Sequence, residues 1–171
     1  MKYSAIILAL LLGLTCHAAT IDGRVVSVAD GDTITVLDAD NVQHKIRLAG
    51  IDAPEKKQPF GQRSKQSLSN LVFDKAVTVD TNKRDKYKRN VGKVLVDGTD
   101  ANLEQIKRGM AWHYKQYQRE QSLADQQSYT AAEFEARAAM LGLWREAEQV
   151  PPWEFRHKSD KKNPSYPSAK F

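Results

Sequence analysis

The sequence predicts an α+β fold in which a small β-barrel is packed against helices, and three observations predict it. Between residues 20 and 96 the apolar residues are mostly β-branched and tend to alternate, which is strand periodicity. Turn-forming pairs such as Asp30-Gly31 and Asp97-Gly98 interrupt this region. After residue 100 the apolar spacing becomes helical. Short strands followed by helices indicate a closed or partly open barrel, and the five-stranded OB-like arrangement is the commonest of this size.

Five strands and about three α-helices are expected. The strands lie around Val26 and Val28, Ile34 and Val36, Ile46 and Leu48, Ala76–Asp80, and Val91–Val96. One helix is predicted over Gly61–Phe73, because Leu68, Leu71 and Val72 have helical spacing.

The other two predicted helices lie in the second half of the chain. Leu103 and Ile106 begin a short one that Gly109 ends. The longest covers Ser122–Leu141, with Phe134, Ala138 and Leu141 on its apolar face and Gly142 as the stop.

Length and composition indicate one soluble globular domain with additions at both ends. The chain has 171 residues, 41% of them hydrophobic and 27% charged, which suits a single domain over residues 20–150. Residues 1–19 are predicted to be a signal peptide, because Lys2 precedes the uncharged run Ala5–Leu14, and small residues at Ala18 and Ala19 follow. That run is shorter than the roughly 20 apolar residues that span a bilayer.

Export follows as an expectation, either to the periplasm or to the medium. An uncleaved anchor and a lipid-modified Cys16 are the alternatives to cleavage. Since Cys16 is the only cysteine, a cleaved chain would have neither a disulfide nor a thiolate metal site. We expect that chain to be a monomer without a membrane anchor.

The charge is concentrated at the C-terminus. The formal net charge is +5, and residues 151–171 hold five basic and two acidic residues. Prolines and a low apolar content predict that residues 151–171 form a basic, flexible tail. A pI near 9.3 is compatible with an anionic partner but does not specify one.

Two polar clusters lie at predicted strand ends. The first, Asp30–Thr33, reads Asp-Gly-Asp-Thr at a turn, where a simple tight turn is the common explanation. The second, Arg47–Glu55, places Arg47 and Asp52 around an apolar run before the chain leaves the strand at Pro54. A surface strand end explains each residue singly, but it explains the set less well.

A third cluster is basic and carries an aromatic residue. Residues 83–89 contain five cations in seven positions, with Tyr87 among them. A solvated hairpin tip is an equally good explanation of this segment alone. Charge combined with a stacking ring also suits a nucleic-acid strand.

Taken together, the three clusters hold the groups that phosphodiester hydrolysis needs. Asp32 and Asp52 are hard oxygen ligands of the kind that Ca²⁺ accepts together with carbonyls and waters. Glu55 is a carboxylate that could orient a water for attack. Arg47 and Arg89 present planar donors that match phosphate oxygens better than lysine does.

These motifs, in this order and with these gaps, resemble the staphylococcal (micrococcal) nuclease family. The resemblance covers residues 20–146 and includes Gly-Met-Ala-Trp112 and Gly-Leu-Trp144. Each motif alone is common, but three in register are specific. The Pro-Pro-Trp-Glu-Phe155 segment is similar to that of exported Gram-negative members.

The resemblance implies a calcium-dependent endonuclease that cuts DNA and RNA and leaves 3′-phosphate ends. It implies the roles of individual residues as well. Asp32, Asp52 and the carbonyl of Ala53 would bind Ca²⁺, Glu55 would activate or orient water, Arg47 and Arg89 would clamp phosphate, Asp30 would support the metal site, and Tyr87, Lys86, Tyr114 and Tyr117 would contact substrate.

Some positions depart from the family pattern. The family pairs two tyrosines two residues apart, and here Tyr117 matches one position while Lys115 stands at the other. Tyr114 could substitute, which leaves base preference open. Lys88 replaces a frequent glycine between Tyr87 and Arg89.

Two other functions remain as alternatives. A non-catalytic OB module would bind nucleic acid or another protein, but such a copy would be expected to have lost part of the catalytic set, which is whole here. An exported calcium-binding adhesion or signalling module would require the arginines to be incidental.

Overall fold

The structure is a computed structural model that describes residues 19–162, with side chains described to residue 158. The predicted signal peptide therefore lies outside the described residues, except for Ala19, which begins the first strand. Within residues 19–162, no helix is both long and apolar enough to span a membrane.

Five strands close into a barrel, as predicted, through four antiparallel pairings and one parallel pairing. They are β1 (Ala19–Val28), β2 (Thr33–Leu37), β3 (Gln43–Leu48), β5 (Ala76–Arg84) and β6 (Asn90–Val96). Their order is β3-β2-β1-β5-β6, and a parallel pairing between β3 and β6 closes the sheet. The short strands β4 (Ile51–Asp52), β7 (Thr99–Asp100) and β8 (Trp112–His113) lie outside this closed set.

Period-two alternation explains why these segments are strands. In β6, Asn90, Gly92, Val94 and Val96 are buried while the residues between them are only partly so. Val25, Ile34, Ile46 and Val79 are fully buried in the same core. Removing each such side chain from water contributes on the order of 1.5–3 kcal/mol, which is what fixes the strand register.

Three helices predicted from the sequence are present: α1 (Gly61–Val72), α2 (Ala101–Lys107) and α3 (Leu123–Ala138). Asp100 caps α2 by accepting a hydrogen bond from the backbone N–H of Leu103, and Ser122 caps α3 through that of Asp125. Short 3-10 helices follow at Lys115–Glu120 and Gly142–Arg145.

The predicted inward face of α3 is wrong. Phe134 is 72% exposed, and Ala138 and Leu141 are exposed as well. The buried residues are Tyr129, Ala132, Glu133 and Ala136. Small residues let this face approach its neighbours closely, and the buried Glu133 has ionic and backbone partners there, so hydrophobicity alone misidentified the face.

The prediction of a flexible tail over residues 151–171 is wrong for its first half. Pro152–Lys162 form a fourth helix, α4. Proline suits the first helical position, and Trp153 packs against Trp112 and stacks on Tyr114. These aromatic contacts supply what the low apolar content of the segment concealed, while residues 163–171 lie outside the described residues.

Candidate active site

Strand register brings the three polar clusters to one end of the barrel. Thr33 on β2 pairs with Arg47 on β3, and Arg47 in turn pairs with Val91 on β6. Asp32 directly precedes β2 and Arg89 directly precedes β6. Segments that are distant in sequence therefore meet as neighbours.

Asp32 is buried and held by its neighbours. One carboxylate oxygen accepts a hydrogen bond from the Ala53 backbone N–H at 2.7 Å, and the other accepts one from the Thr33 hydroxyl at 3.1 Å. The backbone N–H of Asp32 donates to the Asp30 carboxylate at 3.2 Å. Asp30 thus holds the Asp32 backbone from the turn.

Gly31 allows the turn to sit against the helices. A Cβ added there would lie 1.9 Å from the Ser64 hydroxyl oxygen on α1, so no larger residue fits without displacement. The side-chain amide of Gln105 on α2 donates to the Gly31 carbonyl at 2.9 Å. Close packing against both helices therefore fixes the direction in which Asp32 points.

Arg47 joins the two predicted metal carboxylates. Its Nη1 lies 3.1 Å from Asp32 and its Nη2 lies 2.9 Å from Asp52. Asp52 is fully buried on β4, which pairs with β8 through Trp112. Arg47 also donates to the Leu48 carbonyl at 3.1 Å, which anchors the guanidinium in the barrel wall.

Burial makes the ionised form of Asp32 costly in this cluster. Burial raises the pKa of Asp32 to about 7, helped by the nearby charges of Asp30 and Asp52 and opposed by Arg47. Burial would lower the pKa of Arg47, but the carboxylates of Asp32 and Asp52 outweigh it and raise that pKa. A further cation would relieve the cost of holding Asp32 ionised.

Glu55 lies in the loop between β4 and α1, and its side chain is 39% exposed. Its backbone N–H donates to the Gln58 side chain at 3.1 Å, and its carbonyl accepts from the Gln58 backbone N–H at 2.8 Å. The Gln58 amide also donates to the Val150 carbonyl, which ties this loop to the chain that leads into α4.

Arg89 is positioned by Asp85, a role that the sequence did not reveal. One Asp85 oxygen accepts from the backbone N–H groups of Tyr87 and Arg89, both at 2.9 Å, and the other accepts from Arg89 Nε at 2.7 Å. Burial would raise the pKa of Asp85, but these bonds from Arg89 lower it. The Asp85 carboxylate thus shapes the β5–β6 turn and aims the guanidinium, whose Nη1 lies 3.4 Å from the Thr33 hydroxyl.

The tip of this hairpin is exposed. Tyr87 is 67% exposed, with the Lys86 ammonium 5.3 Å and the Arg89 guanidinium 5.4 Å from its ring centre. Lys88 adopts a φ of 64°, a left-handed conformation that glycine takes more readily. A glycine at this position would adopt the same backbone conformation without strain.

The predicted tyrosines separate into two environments. Tyr117 is 37% exposed, and the Lys83 ammonium lies 5.4 Å from its ring centre. Tyr114 stacks on Trp153 of α4 with ring centres 5.5 Å apart, and it also meets Tyr117 edge-on. Lys115 forms an ion pair with the buried Glu133 at 2.7 Å, so its side chain is held against α3.

Arg156 on α4 is a site residue that the sequence did not identify. Its guanidinium contacts both oxygens of Asp52, at 3.2 and 2.8 Å, and one oxygen of Glu55 at 2.8 Å. Burial would lower the pKa of Arg156, but the bonds to Asp52 and Glu55 outweigh it and raise that pKa. The only signal was an arginine one position after Pro-Pro-Trp-Glu-Phe155, in a segment predicted to be flexible.

The oxygen atoms of Asp32, Asp52 and Ala53 could bind a calcium ion whose remaining ligands are waters or substrate oxygens. Within the described part of the chain, no three histidine, cysteine or carboxylate side chains form a metal-holding group. Ca²⁺ accepts carbonyls and waters alongside carboxylates, so Asp32, Asp52 and the Ala53 carbonyl form a fitting partial set. The raised pKa of Asp32 is also compatible with a cation site, since a bound cation would favour the ionised carboxylate.

The chain is similar to known proteins over most of its length. A sequence model described as staphylococcal nuclease homologue matches residues 45–146, which is more than half of the chain. The chain belongs to the staphylococcal nuclease family. The match begins after the Asp30–Thr33 cluster of this nuclease family member. The ion pair between Asp32 and Arg47 connects that cluster to the matched residues.

Individual relatives agree with this membership. A Haemophilus influenzae protein named uncharacterized endonuclease is 42% identical over 135 residues, covering 79% of this chain and 72% of its own. A protein of the same name from Escherichia coli O157:H7 is 45% identical over 141 residues, covering 82% and 88% respectively. The micrococcal nuclease of Shigella flexneri is 38% identical over 146 residues, covering 80% and 81%.

Family membership also gives the class of reaction. This nuclease family member is a phosphodiester hydrolase, and its substrate is a nucleic acid. Its closed five-stranded barrel with surrounding helices agrees with the OB-like α+β fold predicted from the sequence.

Proposed function

We propose that the protein is an exported, calcium-dependent endonuclease that hydrolyses DNA and RNA and leaves 3′-phosphate ends. The observation that carries the proposal is the buried carboxylate pair of Asp32 and Asp52 bridged by Arg47. At the same end of the barrel, Glu55 accepts a hydrogen bond from Arg156, and Arg89 contacts the Thr33 hydroxyl. A non-catalytic binding module has no need of such a costly buried group of charges.

The two buried aspartates would hold the cation. Asp32 and Asp52 supply carboxylate oxygens, and Ala53, whose N–H already binds Asp32, supplies its carbonyl. When bound, Ca²⁺ supplies positive charge that stabilises the charge developing on the phosphate oxygens. Asp30 keeps the Asp32 backbone in place through its hydrogen bond.

The two predicted arginines would bind the phosphate from different sides. Arg47 is fixed in the barrel wall, whereas Arg89 has its Nε engaged by Asp85, so its Nη edge can donate to a phosphate. Fixed guanidinium donors are effective here because they need not reorganise as charge develops on the phosphate.

Glu55 would act as the general base. Its half-exposed carboxylate can accept a proton from a water as the oxygen of that water bonds to phosphorus. The bond between phosphorus and the 5′ oxygen breaks, and the leaving oxygen takes a proton from solvent. The 3′ oxygen keeps the phosphate, which gives the proposed ends.

The remaining predicted residues would contact the nucleic-acid strand. Tyr87 and Lys86 lie on the exposed hairpin tip, where a ring can stack and an ammonium can reach a phosphate. Tyr117 has a partly exposed ring beside Lys83. Tyr114 is stacked on Trp153, so its part in base contact depends on the position of α4.

The proposal is tested by digesting single-stranded DNA and RNA with the purified protein, with Ca²⁺ and with a chelator in parallel. We expect cleavage of both substrates only with Ca²⁺, and products whose 3′ ends accept polymerase extension only after phosphatase treatment. Binding without cleavage under both conditions would support the OB binding module instead. Cleavage that persists in chelator would remove calcium from the proposal and leave the nuclease activity in place.

A further inference from the structure

The guanidinium of Arg156 occupies the ligand atoms of Asp52. One Asp52 oxygen accepts from Arg47 Nη2 at 2.9 Å and from Arg156 Nη1 at 3.2 Å, and the other accepts from Arg156 Nη2 at 2.8 Å. This two-pronged contact is the strong geometry for an arginine and a carboxylate. A cation can therefore coordinate Asp52 fully only after the Arg156 contact is given up.

The charge balance at Asp32 and Asp52 also requires that Arg156 leave when Ca²⁺ binds. Asp32 and Asp52 together face two guanidiniums, those of Arg47 and Arg156, so the buried carboxylate pair is already matched in formal charge. A divalent ion placed beside both guanidiniums would be repelled by them in a region of low dielectric. Loss of the Arg156 contact removes one of the two repelling charges.

Of the two guanidiniums, that of Arg156 is the one that can move away without disturbing the barrel wall. The Arg47 side chain is 14% exposed and is bonded to the Leu48 carbonyl in the barrel wall. The Arg156 side chain is 40% exposed and belongs to the helix at the end of the described chain. A displaced Arg156 side chain would enter solvent, where a guanidinium is readily hydrated. Displacement of Arg47 would disrupt the packing of the barrel wall.

Arg156 also holds the proposed general base. Its Nη1 donates to Glu55 at 2.8 Å while contacting Asp52, so one side chain links the metal ligand to the base. The same guanidinium lies near Tyr114, whose pKa is raised by burial and by Asp52, while Arg156 opposes the rise. Departure of Arg156 would therefore open Asp52 to the cation and free Glu55 for a water in a single movement.

We propose that Arg156 competes with Ca²⁺ for Asp52. In the metal-free protein Arg156 occupies Asp52, and this contact sets the calcium concentration at which the site binds Ca²⁺ and Glu55 is released. This inference rests on the proposed calcium site. The stack of Trp153 on Tyr114 and its edge contact with Trp112 keep the start of α4 on the domain, so the competitor stays at high local concentration.

The test compares calcium affinities by isothermal titration calorimetry in the wild type, Arg156→Gln and Lys158→Gln. Lys158 is the matched control, because it is an exposed cation on the same helix. We expect Arg156→Gln to bind Ca²⁺ roughly tenfold more tightly than wild type, the size of an ordinary coupling between two sites, with Lys158→Gln within about twofold. Equal or weaker binding by Arg156→Gln would overturn the inference.

A second measurement follows Arg156 itself. In the wild type, the NMR signal of the Arg156 Nε–H group should shift on Ca²⁺ addition and follow the calorimetric saturation curve. A signal that stays unchanged while Ca²⁺ binds would show that Arg156 keeps its contacts and overturn the inference. If neither the wild type nor Arg156→Gln binds Ca²⁺, the proposed calcium site itself has failed. If both bind it equally, only the competitor role has failed.

Discussion

The buried carboxylate end of the barrel and the β5–β6 hairpin tip show two ways to hold an arginine for phosphate. Arg47 is locked between Asp32 and Asp52 inside the barrel wall, where each charge depends on the others. Arg89 is aimed by one local partner, Asp85, four residues earlier on a largely exposed turn. The first arginine is therefore inseparable from stability, whereas the second can be altered with little effect on the fold.

The largest expected effect on activity tests the base beside the buried end. Glu55→Gln should lower turnover by about 10³-fold, because an amide cannot accept the proton from water. Nucleic-acid binding should stay nearly intact, since Glu55 is half exposed and its loop is held by backbone bonds to Gln58.

Turnover of a labelled oligonucleotide and its dissociation constant in chelator measure the two effects separately. Glu146→Gln, a change at an exposed carboxylate, is the control and should leave both unchanged. A Glu55→Gln rate within about tenfold of wild type would remove Glu55 from the mechanism.

Substitutions of Arg47 and Arg89 should differ in their effect on stability. Arg47→Gln should lower the free energy of unfolding by about 3–5 kcal/mol, because it leaves Asp32 and part of Asp52 buried without their partner. Arg89→Gln should cost less, on the order of 1 kcal/mol, because Arg89 forms one partly buried ion pair, with Asp85, outside the core. Both should reduce turnover by about 10²-fold or more, since each removes a phosphate donor.

Urea unfolding in chelator measures the difference in stability. Arg47→Lys, which keeps the charge, serves as a second variant that should retain more of the fold. Equal unfolding free energies for the two glutamine variants would mean that Arg47 is no more tied to the fold than Arg89.

Asp85→Asn tests how Arg89 is positioned on the hairpin. We expect kcat/KM to fall about tenfold, because Arg89 loses the carboxylate that aims its Nε, while asparagine can still accept the turn hydrogen bonds. The folded-state pKa of Asp85 lies below its ordinary 3.8, so the ion pair stabilises the protein above that pH and is lost as the pH falls through the lower value.

Wild type and Asp85→Asn should therefore differ in stability by a constant amount from neutral pH down to about pH 4, and converge only below it. Thermal unfolding across this range, with kinetics at neutral pH, provides both readouts. Unchanged kcat/KM would mean that Arg89 is positioned without Asp85.

The smallest expected effect concerns the turn itself. Lys88 has a φ of 64°, so Lys88→Gly should stabilise the protein by about 0.5–1 kcal/mol, the relief of left-handed strain less the added freedom of the unfolded chain. Lys86→Gly, at a neighbouring position without a positive φ, should not stabilise it. A loss of stability in Lys88→Gly, measured by chemical unfolding, would show that the Lys88 side chain contributes more than its backbone strain costs.

The parts of the molecule that follow from local patterns were predicted from the sequence. Alternation in segments such as Val91–Val96 placed the barrel strands, and the caps and stops of the helices lay near their predicted positions. The clusters with Asp32, Arg47 and Arg89 were predicted to act together, and the β2–β3 and β3–β6 registers bring them to one end of the barrel.

Contacts between distant segments were missed for the opposite reason. Arg156 lies 104 residues from Asp52 in sequence, and no periodicity connects them. Phe134 looked like a core residue, yet the inward face of α3 is chosen by Glu133, whose partners lie on β8 and the following 3-10 helix. Neither choice is visible without the neighbouring element.

By itself the sequence determined the α+β class, the barrel strands and the identity of the charged groups, because strand alternation and motif spacing are properties of short stretches of chain. Only the tertiary structure decided which charges face one another. It made Arg47 a bridge, gave Asp85 the task of aiming Arg89, and turned a predicted tail into a helix that puts Arg156 on Asp52 and Glu55. Electrostatic pairing depends on distances of about 3 Å, which only the folded chain sets.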